Sequence, residues 1–175
     1  MSTVSVIKNG QEIVVEDAKL IFRNFSGRGD TYNREGSRYF CLILDTPELY
    51  SWAEEHGWPI KHRGAEGEEG YDYIKVEVSY KFDSIKPLVV FIKDDGNGHP
   101  TKTQIDENGI NALDWTEIIR ADIMIRNRKW KFNNNEGFKP QLSAIYATLY
   151  IDPLEAKYGN YFKNGEDDVD MPFDV

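Results

Sequence analysis

Arginines, lysines and aromatic rings share two short stretches of this chain. Phe22, Arg23, Phe25, Arg28, Tyr32, Arg34, Arg38, Tyr39 and Phe40 surround one glycine-bearing loop. Arg126, Arg128, Lys129, Trp130, Lys131, Phe132, Phe138 and Lys139 surround a second turn. Mobile cations pair with phosphates, and flat rings stack on unpaired bases, each stack being worth about 1–3 kcal/mol. A duplex needs the cations but not the rings, so the mixture points to single-stranded nucleic acid. If the two loops stand at the ends of adjacent strands, they form opposite walls of one groove. The competing reading makes the rings core and the bases solvated edges; Phe22, Phe40 and Phe132 fit it best, because their neighbours alternate with charge.

Total charge argues against a polyanionic partner, since 30 acids outnumber 21 bases for a net of −9. Its distribution removes the objection. Five carboxylates (Glu166, Asp167, Asp168, Asp170 and Asp174) and no base lie in the last eleven residues. Lys19 to Phe40 is net positive, as is Arg120 to Lys139. A ligand feels the field within one Debye length, about 8 Å at physiological salt, so the local patch decides. The acidic ending carries an apolar hook, Met171-Pro172-Phe173, among Asp167, Asp168 and Asp170. Such a segment can lie in the body's own basic groove when nucleic acid is absent, or dock on a partner protein of replication or recombination. A plain solubilising end is the simpler alternative.

Catalytic and metal chemistry find little support. The lone Cys41 lies in an apolar run and reads as a core filler; it forms no internal disulfide, which suits a reducing cytoplasm, or the host's if the protein is viral. His56, His62 and His99 are scattered, so no zinc set forms and no metal is expected. Asp152-Pro153-Leu154-Glu155-Ala156-Lys157 superficially offers an acid-plus-Glu-x-Lys site, but metal-dependent cleavage needs carboxylates on adjacent strand positions, and proline with a helix-like run argues otherwise. Asp45, Glu48, Asp114 and Glu117 read as caps and loop charges. No phosphate-cradling glycine-lysine loop is present. We expect a non-enzyme without cofactors. No run is long and apolar enough to span a membrane, and the first residues lack a signal-peptide pattern.

The elements that must position the two patches are mostly strands. Val4 to Ile7 and Glu12 to Val15 flank Asn9-Gly10, a strong hairpin signal. Ala18 to Phe25 alternates, with Lys19, Ile21 and Arg23 on one side and Leu20, Phe22 and Asn24 on the other. A mobile loop follows over Ser26 to Gly36. Tyr39 to Leu44 is apolar on both faces and reads as a central strand. Thr46-Pro47-Glu48 starts one helix, with Leu49, Trp52 and Ala53 on its apolar side and Gly57 as its stop. Tyr73 to Phe82, Leu88 to Ile92, Thr101 to Ile105, Ile118 to Arg126, a strand opening at Trp130 and Leu142 to Ile151 complete the strands, with Asp94 to Gly98 and Asn133 to Gly137 as turns and two helical turns over Glu107 to Leu113. The predicted fold is mainly β: an antiparallel barrel of the oligonucleotide-binding type over 1–163, with extra hairpins and one short helix after an early strand, then a disordered acidic tail over 164–175. A β-sandwich is the alternative.

Three stretches resemble bacteriophage single-stranded-DNA-binding proteins. Phe25-Ser26-Gly27 with Tyr32 to Phe40 is similar to that group's glycine-arginine loop and following strand. His56-Gly57-Trp58-Pro59-Ile60-Lys61 is similar to its post-helix motif. Leu113-Asp114-Trp115, with Ala121 to Arg126 and Trp130, is similar to its later strand pair. The resemblance implies a barrel of the oligonucleotide-binding type that coats replication or recombination intermediates without catalysis. The tail separately is similar to the acidic tips of bacterial single-strand-binding proteins, although Asp174-Val175 follow Pro172-Phe173 here. We therefore expect Arg23, Arg28, Arg34, Arg38, Lys61, Arg126 and Lys131 to hold the backbone of single-stranded DNA, with Tyr32, Tyr39, Trp58 and Trp130 stacking on its bases. The alternative function is an acidic interaction protein that mimics DNA or blocks a host DNA-handling factor.

Overall fold

The computed structural model describes residues 2–7, 12–82, 84–94, 99–152 and 154. The Asn9-Gly10 turn, most of the Asp94–Gly98 turn, the Glu155 and Lys157 of the superficial metal motif and the whole acidic tail lie outside these residues. Ten strands follow one another as β1 (Thr3–Ile7), β2 (Glu12–Glu16), β3 (Leu20–Asn24), β4 (Arg38–Ile43), β5 (Lys61–Arg63), β6 (Tyr71–Val78), β7 (Leu88–Lys93), β8 (Thr101–Ile105), β9 (Ile118–Phe132) and β10 (Asn135–Leu149). One helix, α1 (Pro47–Glu55), stands between β4 and β5, and a 3₁₀ turn spans Ile110–Asp114.

The strand path runs β1-β2-β9-β10-β6-β4-β3. Its two arms meet on one stretch of chain, because β2 and β3 are separated only by a corner at Asp17, whose φ is 54°. On that corner the Ala18 N–H donates to the Ala121 carbonyl of β9 at 2.8 Å, while the next residue, Lys19, accepts from the Ile43 N–H of β4 at 3.0 Å. Consecutive residues thus bond opposite arms of the sheet, which curls it into a five-sided barrel of β2/β3, β4, β6, β10 and β9. At the β6–β10 seam a single residue pair, Gln141 with Glu77, is bonded, so the barrel is partly open there. This is the expected barrel, with one correction: β10 runs parallel to both β6 and β7. Parallel neighbours need a long crossover, here supplied by β8, the 3₁₀ turn and β9. Alternation along a strand reports its faces and is silent on its partners.

Inward-facing side chains make one core that includes Ile13, Val15, Phe40, Leu42, Ile74, Val76, Ile123, Ile125, Leu142 and Ile145. The Phe25 and Phe40 rings stack within it, centroids 5.3 Å apart. Helix α1 forms as expected: the Thr46 hydroxyl accepts from the Leu49 N–H at 3.3 Å, Pro47 occupies the first turn, and Leu49, Trp52 and Ala53 are buried. Gly57, at φ 71°, ends it. The expected break between Arg126 and Trp130 is absent. β9 is one 15-residue strand, and its turn is confined to Asn133-Asn134, with Asn133 at φ 55°. Beyond the core this hairpin continues as a two-stranded arm, which is why Phe132 is 70 % exposed and is not the core residue its alternation suggests.

Candidate nucleic-acid interface

Along β6, Ile74, Val76 and Val78 point into the core, leaving Tyr73, Lys75 and Glu77 on the outer face. Register sets Tyr39 of β4 beside Glu77, and Cys41 beside Lys75. A groove of about 840 Å³ lies on this outer face. One wall is the 25–37 loop, through Tyr32, Asn33 and Arg34; the other is β10, through Lys139 and Pro140; Tyr80, Lys81 and Glu107 close one end. Six bases line it (Arg34, Arg38, Lys61, Lys75, Lys81 and Lys139) against two carboxylates, Glu77 and Glu107, so its field is positive although the chain is acidic.

Hydrogen bonds fasten the loop wall along its length. Asp114, 4 % exposed, accepts from the Phe25 N–H at 2.5 Å and from the Ser26 N–H and hydroxyl at 3.1 and 2.5 Å. Asn24 bonds both the N–H and the carbonyl of Arg28, and the Asn33 amide donates to the Arg28 and Ser37 carbonyls at 2.7 and 3.0 Å. Gly27, at φ 73°, packs so closely that a Cβ there would lie 3.0 Å from Gly36. The loop holds Tyr32 almost fully exposed at its tip, with Arg34 exposed beside it.

Aromatic faces and cations meet on the floor. The Lys75 ammonium sits 4.4 Å from the Tyr39 ring centroid, and the Arg38 guanidinium 5.2 Å from that of Tyr80. Arg38 is anchored by donating to the Phe25 carbonyl at 2.8 Å and to Glu107 at 3.1 Å. Glu77 receives Lys139 at 2.6 Å, Arg128 at 2.9 Å and the Gln141 amide at 3.2 Å. Burial pushes the Glu77 carboxyl up, but these cations and hydrogen bonds outweigh it and hold the group below its usual range. Burial raises the Tyr80 phenol, aided by Glu107 and Asp106 against the opposing charge of Arg38. It also raises the Cys41 thiol, which stays a buried neutral filler.

Five of the sequence candidates, Tyr32, Arg34, Arg38, Tyr39 and Lys61, come together in this groove. Arg28 is 70 % exposed just outside it. Three residues of the second patch take other positions: Arg126 donates to the Gln141 side chain, while Trp130 and Lys131 lie on the projecting hairpin, the Trp130 ring packed against Gly137. Two candidates need correction. Trp58 is 3 % exposed and gives its indole N–H to Asn127 at 2.7 Å, so it is a core residue with no face for a base. Arg23 spends its guanidinium on the Leu113 and Thr116 carbonyls, at 2.9 and 2.8 Å, and braces the loop's neighbour. Lys75, Tyr80 and Lys81 were not singled out by composition; the outward row Tyr73, Lys75, Glu77 on an alternating strand was the available signal.

In this chain the groove is framed by β4, β6, the 25–37 loop and β10. A family model described as a putative phage ssDNA-binding domain matches residues 1–174. The chain belongs to the phage single-stranded-DNA-binding family. No curated protein matches it. Among solved structures, the single-stranded DNA-binding protein from bacteriophage Enc34 in complex with ssDNA aligns over 87 % of this chain and 94 % of its own, at 12 % identity and a TM-score of 0.53. A second structure of the single-stranded DNA-binding protein from bacteriophage Enc34 aligns over 86 % of this chain and 92 % of its own, at 11 % identity and a TM-score of 0.50. At such identities the likeness extends to the fold alone.

Proposed function

We propose that the chain binds single-stranded DNA with little sequence preference, along the outer face of β4 and β6, and protects it during phage replication or recombination. The groove carries this reading: six cations, two of them paired with Glu77 and Glu107, share one cleft with the exposed Tyr32 and the Tyr39 and Tyr80 rings. Arg34, Lys61, Lys75 and Lys81 hold the backbone, Tyr32 and Tyr39 offer stacking faces, and Arg38 shapes the floor. Nothing in the groove demands a particular base, because every base has a face to stack. The acidic ending supplies a competing polyanion that tunes access to the groove, and its Met171-Pro172-Phe173 hook offers a partner protein an apolar contact.

Intrinsic fluorescence tests the reading directly. Trp52 and Trp58 are buried, whereas Trp130 stands 38 % exposed on the projecting hairpin beyond Lys139, and Trp115, 72 % exposed, lies away from the groove lining. Titration with an unstructured oligothymidine is expected to quench saturably, to weaken with salt, and to lose amplitude in Trp130→Phe. An equal response to a duplex of the same length, or none to either, would remove single-strand binding as the function.

A further inference from the structure

Phe22 breaks the alternation of its own strand. Leu20 and Asn24 of β3 face the interior, and Phe22 shares their parity, yet its ring is 41 % exposed. The cause is a bulge. Between Ile21 and Asn24, three steps on β3 match two on β4, and Phe22 takes a φ of 48°. A left-handed backbone at a bulky residue is a strained state, and bulges of this kind re-aim side chains, often beside functional sites. Here the ring turns out of the barrel and onto the outer face of β6. It meets Tyr73 edge-on at 5.6 Å, with Tyr71 a further 6.0 Å beyond, and the Arg63 guanidinium lies 5.0 Å from its centroid. No carboxylate pairs with Arg63 among the described residues.

The position of this cluster gives it meaning. Tyr73 is the outward neighbour of Lys75 on β6, and it is paired through β5 with Lys61; both lysines line the groove. Tyr71 lies about 13 Å farther along β6 than Lys75, at the usual strand rise. Three rings and a guanidinium with no carboxylate partner among the described residues therefore continue the groove past its lysines. An apolar docking partner would not select for Arg63 above an exposed ring, whereas a phosphate and its base require that pairing.

We infer that Phe22, Tyr73, Tyr71 and Arg63 form a second base-stacking platform, which takes the single strand where it leaves the groove across Lys61 and Lys75. The inference rests on the groove reading and lengthens it. The test is affinity for an oligothymidine series from about 4 to about 16 nucleotides, the range bound by single barrels of this type. Asparagine tolerates positive φ, so Phe22→Asn removes the ring while keeping the bulge. It is expected to leave the shortest bound oligomers unaffected and to weaken the longer ones by about 5- to 150-fold, the equivalent of one lost stack. Arg63→Ser, at an exposed position, is expected to make the salt dependence shallower for the long oligomers alone. Variants that track the wild type at every length, or lose the same factor at every length, would overturn the platform. Failure of the groove reading looks different: Lys75→Glu would then leave even the shortest bound oligomer untouched, and the platform falls with it.

Discussion

Glu77 places a negative charge on the floor of a groove lined by six cations. It receives Lys139, Arg128 and Gln141, and so holds together two strands that share one bonded residue pair at the barrel seam. Two outcomes follow for Glu77→Gln. Lys139 and Arg128 become free to meet DNA, so affinity should rise by about two- to five-fold, the size of one partly exposed charge interaction, and the salt dependence should steepen; unchanged affinity would mean that the strand does not pass over this point. Stability should fall at neutral pH. Because the folded carboxyl lies below its usual value of 4.5, its contribution is complete above that pH and is lost as the pH drops through the folded value. Urea unfolding midpoints of wild type and variant should therefore converge below pH 4.5. Arg34→Ala tests the loop wall: the slope of log affinity against log salt should shrink by about 0.7, one phosphate contact on a single strand. An unchanged slope would take Arg34 out of the site. At this scale the sequence disclosed the residue types and five groove members. It could not show Trp58 or Arg23 turned to structural use, because burial and hydrogen-bond partners come from residues far away in the chain, Asn127 for one and Leu113 for the other.

Among the elements, the 25–37 loop shows how a glycine-rich stretch is fastened by a distant carboxylate. Its order comes from Asp114, nearly ninety residues away, which satisfies three donors at the loop's base. Removing that carboxylate in Asp114→Ala leaves donors unpaired at about 1–3 kcal/mol, a Tm loss of roughly 2–12 °C at this length. DNA affinity should drop alongside, since Tyr32 and Arg34 lose their platform. A variant that melts earlier yet binds DNA as the wild type does would show that loop order is irrelevant to the site. Most strands, the helix and its Thr46-Pro47 start were legible from alternation and capping chemistry, whereas the short β5, exposed throughout, has no alternation to read. The Phe22 bulge and the uninterrupted β9 were not, because a local pattern cannot reveal an inserted residue whose register is set by a neighbouring strand.

The whole molecule separates its charges: a basic groove on a barrel, and five carboxylates in the chain's last eleven residues. If that ending competes for the groove, deleting Glu166 to Val175 should tighten single-strand binding at low salt, and the gain should fade as salt screens it. A deletion without effect at low salt would leave the ending no role as an internal competitor. Barrel class was legible because many short strands with one helix leave few architectures. The closing corner at Asp17 and the parallel pairing of β10 were hidden, both being consequences of how distant strands meet. The decisive measurement is the anisotropy of a labelled oligothymidine titrated with wild type, Lys75→Glu in the groove and Lys102→Glu on β8, with an unlabelled duplex of equal length as competitor. Binding should be saturable, weakened by salt and not displaced by the duplex, with a loss of about ten-fold or more for Lys75→Glu and no change for Lys102→Glu. Equal behaviour of the two variants, or full displacement by the duplex, would contradict the groove reading.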